Sequence, residues 1–220
     1  METRRRILDS AERLFSRSGV SHTSLADIAD AADVTRGAVY GHFRNKADLF
    51  NAMLDRTQLP LEDLIATLVN AAEPDPLAAM QRVMLICLRD SQCDEHRRLV
   101  FDIVFNRCEL VHEMGPVLCR IRENAREGLS NIELGLINAK NRRQLPDSLD
   151  VQLAASMLHA QIGGLIRDSM LVPHRFDFVR DGERMVAAAF DMLRHALSLR
   201  TASASASVQR HDVSHASPLW

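Results

Sequence analysis

TSLADIADAADVTRGAVYGHFRNKADLF, residues 23–50, holds two short helical patterns separated by a tight turn, with a third helix opening behind them. Leu25, Ile28, Ala29 and Ala32 fall at i, i+3, i+4 and i+7, one apolar stripe of a helix over 25–32. Thr23 or Ser24 caps it, and Asp27 stands three residues beyond Ser24 at the acidic position of a capping box. Asp33-Val34 turns the chain. Thr35 then caps a second helix whose Val39 and Phe43 turn inward with Val34. Arg36, Gly37, Tyr40 and His42 are left to face outward.

Two helices joined by such a turn, the second with a polar outer face, form a helix-turn-helix, whose second helix enters the DNA major groove N-terminal end first. Arg36 stands near that end, where a guanidinium fork can grip guanine through two hydrogen bonds. Gly37 removes a side chain where helix and DNA approach closest. Tyr40, the only tyrosine in the chain, offers a hydroxyl to phosphate and a ring to a thymine methyl. His42 suits a phosphate contact or the helix C-terminus equally. Asn45 and Lys46 open the next helix, where free backbone N–H groups and an ammonium can hold phosphate.

Charge points to a specific binder rather than a nucleic-acid coat. Residues 1–56 carry nine Lys or Arg against eight Asp or Glu, and the whole chain has a formal charge of −2. Arg4, Arg5, Arg6, Arg36, Arg44 and Lys46 gather at the N-terminus and around the second helix of the pair, while Asp27, Asp30 and Asp33 line the first. Such a distribution predicts salt-sensitive, selective binding with a loose grip on random DNA.

At 220 residues and 46% hydrophobic content the chain can bury a core of its own, and 5% aromatics with few β-branched runs favour an all-α protein. No apolar leader or membrane-spanning run is visible, which predicts a cytoplasmic protein without a membrane partner. Ile7, Leu8, Ala11, Leu14 and Phe15 mark a first helix ended by Gly19. Further helices are expected from Lys46 to about Ala71 with a bend or restart near Pro60, then over 76–91, 94–109, 114–140, 150–171 and 178–199. The chain accordingly divides into a helix-turn-helix DNA-binding domain over 1–45, a helical ligand-binding and dimerisation domain over 46–200, and a disordered tail over 201–220 with its SASAS run.

Cys87, Cys93, Cys108 and Cys119 lack CxxC spacing and are expected as buried free thiols, with Cys87 and Cys93 the one redox-sensor candidate. No metal-ligand spacing, cofactor motif or nucleophile–base–orienter set is present, so no enzymatic activity is expected. Leu153, Met157, Leu158, Gln161 and Leu165 mark one face of the helix over 150–171, and Met185, Ala188, Ala189, Met192 and Leu193 one face of the last. A two-fold dimer through these faces would present two recognition helices, about one DNA turn of 34–36 Å or a multiple apart. Gly163-Gly164 breaks helix propensity in between, which close helix approach or room for a ligand would explain.

The stretch from 23 to 50, above all GAVYGHFRNKADLF, resembles the DNA-binding domain of TetR-family transcriptional regulators, closest to the AcrR-like branch that represses multidrug efflux pumps. VFNRCEL at 104–110 and GGLIRDSMLVP at 163–173 extend the resemblance more weakly over roughly the first two hundred residues. It implies that Thr35, Arg36, Gly37, Tyr40, His42 and Lys46 contact DNA, with Ser24 and Leu25 near phosphate. Asp33 replaces the glycine common in the turn, which Asp tolerates by visiting the left-handed region, and Gly41 replaces an aromatic residue. The resemblance also implies a homodimer and an apolar site for a bulky hydrophobic inducer, an antibiotic or cationic drug among the candidates, lined by Phe101, Phe105, Asn106, Glu109, Ile166 and Met170. Glu109 would neutralise a cation or pair with Arg97 or Arg107. The function implied is a ligand-responsive repressor that binds a palindromic operator of double-stranded DNA and is released by the inducer. Control of metabolic genes by a specific metabolite is the alternative.

Overall fold

Local capping chemistry sets where the helices begin. The computed structural model describes residues 2–58, 62–107, 115–172 and 177–201, and among them it is helical with no β-strand beyond one isolated bridge. Helix α1 (Glu2–Ser18) ends at Gly19, whose φ of +84° takes the left-handed turn that a glycine makes without strain. Helices α2 (Leu25–Ala31) and α3 (Arg36–His42) follow as expected. Ser24 rather than Thr23 caps α2; the Thr23 hydroxyl is buried and donates to the Gly19 carbonyl at 2.8 Å. Helix α4 (Lys46–Gln58) and helix α5 (Glu62–Val69) occupy the stretch where a helix bending or restarting near Pro60 was expected, with Pro60 itself outside the described residues.

The remaining elements are α6 (Pro76–Cys93), α7 (Glu95–Asp102), α8 (Gly115–Asn141), α9 (Val151–Leu171) and α10 (Phe178–His195). Aspartates cap three of them: Asp75, Asp94 and Asp150 accept from the backbone N–H groups of Ala78, Arg97 and Leu153. Two expectations needed correction. The helix over 94–109 does not continue as α but widens into a π turn at Ile103–Arg107. The last helix stops at His195, and a 3₁₀ turn at Leu197–Leu199 lets the Asp150 N–H donate to the Leu199 carbonyl at 2.9 Å.

Two apolar clusters result. The first joins Ile7, Phe15, Ile28, Val39, Phe43, Phe50 and Met53 of α1–α4, with Phe15 and Phe50 centred 6.2 Å apart. It also takes in Val100 and Ile103 after α6 and Val117 of α8, so the N-terminal unit shares its core with the body. The second cluster fills the body between α5, α6, α8, α9 and α10.

The stripes assigned to dimerisation divide on inspection. Leu158 and Leu165 of α9 and Ala189 and Leu193 of α10 are core of this chain, whereas Leu153, Met185 and Met192 are exposed large apolar side chains. Among the described residues, and apart from the backbone of α9 itself and the adjoining residues, nothing lies within 4 Å of where a Cβ would stand on Gly163 or Gly164, so their packing against these residues does not require either glycine. The thiols also depart from expectation: Cys93 and Cys119 are exposed and only Cys87 is largely enclosed. Burial pushes the Cys87 thiol up to about 11, which leaves it protonated and unreactive at neutral pH. Cys108, Glu109 and the tail beyond Thr201 lie outside the described residues. Among those described, no helix is long and apolar enough to cross a membrane.

Candidate nucleic-acid interface

A capping box starts α2: the Ser24 hydroxyl accepts from the Asp27 N–H at 3.1 Å, while the Ser24 N–H donates to the Asp27 carboxylate at 2.8 Å. The Ser24 hydrogen bonds, helped by the charges of Arg36 and Lys46, hold the Asp27 carboxyl below the usual carboxylate range. Leu25 is half-buried at the foot of this helix against the N-terminal core. The turn that follows is held from outside. Asp33 adopts φ 51°, the left-handed conformation expected for this aspartate, and Arg6 donates to the carbonyls of Ala32 and Asp33 at 2.6 and 3.1 Å.

The Thr35 hydroxyl accepts from the Ala38 N–H at 3.1 Å and so begins α3. Val39 and Phe43 lock the inner side of α3 into the core. At about 100° per residue, Arg36, Gly37 and Tyr40 occupy one outward arc of the helix. Tyr40 is 60% exposed, a large aromatic ring left mostly open to solvent. Arg36 makes no hydrogen bond or ion pair with any described residue and reaches Asp27 only through longer-range attraction. A Cβ on Gly37 would meet only the Thr35 hydroxyl, at 3.9 Å, so the fold itself does not demand glycine there. His42 is exposed but lies roughly 120° away from that arc, with its ring 6.3 Å from Phe43.

The basic residues grouped by sequence differ sharply in their engagements. Arg5 pairs with Glu2 at 2.8 Å, Arg44 with Asp48 at 3.6 Å, and Arg4 lies 5.3 Å over the Phe43 ring. Lys46 is turned inward: its ammonium donates to the carbonyls of Val20 and Ser21 at 2.8 and 3.4 Å, pinning the loop before α2 to the start of α4. The N-terminus of α4 is capped by Asn45, whose side-chain oxygen accepts from the Asp48 N–H at 2.8 Å. Among the described residues, Arg36 is therefore the cation of this group left without a hydrogen bond, ion pair or ring contact.

The side chains nominated for the ligand fall into two environments. Ile166 is buried in the body cluster, with Met170 and Phe101 packed against it. Phe105 sits on the π turn, 38% exposed, stacked on Phe101 with ring centroids 6.0 Å apart, and Asn106 donates to Asp102 at 3.0 Å. Neither arginine proposed as a partner for Glu109 is unpaired, because Arg97 pairs with Asp90 and Arg107 lies 3.7 Å from Asp102. A feature the sequence did not disclose is a cavity of about 130 Å³ between α6 and α10, lined by Leu85, Gln92, Cys93, Gly182 and Glu183 among others and by none of the nominated residues. Gln92 beside it donates to Ser169 on α9 at 2.6 Å.

Residues 7–53 match the model of the bacterial regulatory proteins of the tetR family, and residues 75–195 match the C-terminal region of the MAATS-type transcriptional repressors. The chain belongs to the TetR family. This TetR-family regulator is 38% identical over 203 residues to the HTH-type transcriptional regulator TtgR of Pseudomonas putida, covering 90% of its own length and 95% of the relative's. Its structure is similar to that of NalD, the secondary repressor of the MexAB-OprM multidrug efflux pump in Pseudomonas aeruginosa, with a TM-score of 0.80, 36% identity, and 89% and 97% of the two chains covered. SmeT, the repressor of the Stenotrophomonas maltophilia multidrug efflux pump SmeDEF, is similar in its complex with triclosan: TM-score 0.81, 27% identity, 95% of this regulator and all of that chain covered.

Proposed function

We propose that this regulator is a cytoplasmic homodimeric repressor of a multidrug efflux operon, released from its palindromic operator by a bulky hydrophobic compound. The observation that carries the reading is the outward arc of α3. Arg36 without a partner, Tyr40 uncovered and Gly37 without an internal reason together make a surface prepared for a groove. Ser24, Leu25 and Thr35 border it at the helix N-termini; His42 stands off the arc, and Lys46 serves it from within by fixing the loop before α2. The working division remains a DNA-binding unit over 1–45, a ligand-binding and dimerisation unit over 46–200 and a tail over 201–220. Similarity to efflux-pump repressors over nearly the whole chain supports the class of target.

For the inducer we propose the apolar region around Phe101, Phe105, Asn106, Ile166 and Met170, with Glu109 as a counter-charge. The cavity between α6 and α10, about 130 Å³, is smaller than the ~300–1,000 Å³ of typical small-molecule sites and is lined by none of these residues; in this reading a bulky compound parts the body helices as it binds. Opening the body displaces α4 through the shared core and changes the spacing of the two recognition helices. By linkage, operator DNA must weaken inducer binding by the same factor. Fluorescence anisotropy on the DNA upstream of the chain's own gene and its divergent neighbour tests both halves. Selective binding reversed by triclosan is expected; a complex indifferent to saturating triclosan, bound in the body, would remove the efflux reading for that compound.

A further inference from the structure

The junction between the N-terminal unit and the body holds four polar side chains on three helices. On α1, Glu12 is fully buried and Asp9 half-buried. On α7, the His96 ring nitrogens reach in opposite directions: Nδ1 lies 2.6 Å from Glu12 Oε2, and Nε2 lies 2.8 Å from Nη2 of Arg56 on α4. Arg56 Nη1 donates to Asp9 and stands 3.6 Å from Glu12 Oε1, a buried oxygen with no hydrogen-bond partner.

Valence fixes the protons in this chain of contacts. A guanidinium only donates, so His96 Nε2 must accept and carries no hydrogen. The ring hydrogen is then on Nδ1 and donates to Glu12. With Asp9 and Glu12 ionised, Arg56 positive and His96 neutral, the cluster holds one excess negative charge, with Glu12 fully buried and the other three side chains partly exposed. Asp9, Glu12 and His96 lie close enough together to suit a metal ion, but the guanidinium already fills the space among them. A proton is the cation that can still enter. At His96 Nε2 it would set a donor against a donor and expel Arg56; at Glu12 it would remove the charge that holds His96.

We propose that His96 and Arg56 are positioning residues for DNA reading: with Asp9 and Glu12 they lock α4 to α7, and protonation of the cluster releases α4 and weakens operator binding. Two half-sites are read together only when α4 holds each recognition helix at a fixed place, and freedom at that joint has to be lost again on binding. Of the other charged groups, Arg4 and Arg5 of α1 line a pocket beside Arg56, with Arg5 paired to Glu2 and attracted to Asp9; Arg97 is committed to Asp90, Asp55 to Arg120 of α8, and Glu95 belongs to the first turn of α7. Burial pushes the Glu12 carboxyl up, against the opposing His96 hydrogen bond and Arg56 charge, in keeping with a cluster that accepts a proton readily.

The DNA arm of the test rests on the repressor reading; the spectroscopic arm does not. His96→Gln keeps one donor and one acceptor but cannot titrate. Arg56→Met opens the lock at every pH. Operator affinity of the full chain is measured from pH 8 to pH 6, and the histidine ring nitrogens are read by ¹⁵N NMR without DNA. Wild type should lose affinity on acidification by up to about tenfold per pH unit for each proton taken up, beyond any trend in the double variant His96→Gln/Glu12→Gln. Arg56→Met should already bind weakly at pH 8, and the His96 ring should show the Nδ1–H tautomer. Parallel pH profiles in wild type and the double variant His96→Gln/Glu12→Gln, which has neither proton site, or an Nε2–H tautomer, overturn the proposal. If no duplex is bound selectively at any pH, the repressor reading fails and the tautomer alone decides the lock.

Discussion

The N-terminal unit and the helical body use the same element, the α-helix, but disclose their purposes differently. In the first, almost every polar side chain near α2 and α3 has a stated task, so the few left idle, Arg36 and Tyr40 above all, stand out as surface kept for something else. In the body, apolar side chains fill space, and a residue that lines a ligand site looks like one that only packs. Idle polar groups are therefore informative where neighbours are satisfied, while idle apolar volume is informative only after coordinates exist.

The largest effect should come from the core that joins the two regions. Phe15→Ala removes a fully buried ring that packs on Phe50 in a cluster reaching Val100, Ile103 and Val117, and should cost about 3–5 kcal/mol. Thermal unfolding followed by circular dichroism should show one transition at lower temperature. An N-terminal unit that melts alone beside an intact body would show that the shared core does not couple them.

Arg36→Ala comes next and separates binding from folding. It should cost about 1–3 kcal/mol on the preferred duplex and relax the choice of one base, with little change in melting temperature because Arg36 is exposed and makes no hydrogen bond or ion pair with any described residue. Uniform weakening on every sequence would move Arg36 to phosphate. Lys46→Ala should do the reverse. Its inward ammonium makes stability fall by about 1 kcal/mol, the low end for a half-exposed charged hydrogen bond, while the slope of affinity against salt stays unchanged. A slope reduced by about one unit would instead place the ammonium on phosphate.

Smaller effects test the caps and the thiols. Ser24→Ala should destabilise by about 0.5–2 kcal/mol through the α2 cap. Because the Asp27 carboxyl is held low in the folded chain, its share of that stability is present above the ordinary carboxylate pKa and lost as pH falls through the folded value; the gap between wild type and Ser24→Ala should narrow in acid. Iodoacetamide at pH 7.5, followed by peptide mass spectrometry, should label Cys93 and Cys119 ahead of Cys87. Equal labelling of Cys87 would mean that α6 opens far more readily than its packing implies.

The same contrast explains what could be read from the sequence. The caps at Ser24 and Thr35, the turn at Asp33 and the inward Val39 and Phe43 were legible because each depends on residues within a few positions. The inward turn of Lys46 depends on carbonyls 25 and 26 positions away, and the Arg56–His96 contact spans 40, so neither leaves a local pattern. The π turn at Ile103–Arg107 breaks a helical pattern without glycine or proline to announce it. The cavity between α6 and α10 is a shortfall in packing, which no residue type records.

The central claim is that the exposed arc of α3 reads DNA as one half of a pair. Selection of bound duplexes from a random pool at about 150 mM salt, followed by sequencing, tests it whatever the target sequence is. The account predicts an enriched inverted repeat with half-sites one helical turn or a multiple apart, bound about 10³–10⁷ times more tightly than random duplex and lost in Arg36→Ala. A pool left unenriched, or an enrichment that Arg36→Ala retains unchanged, would contradict it.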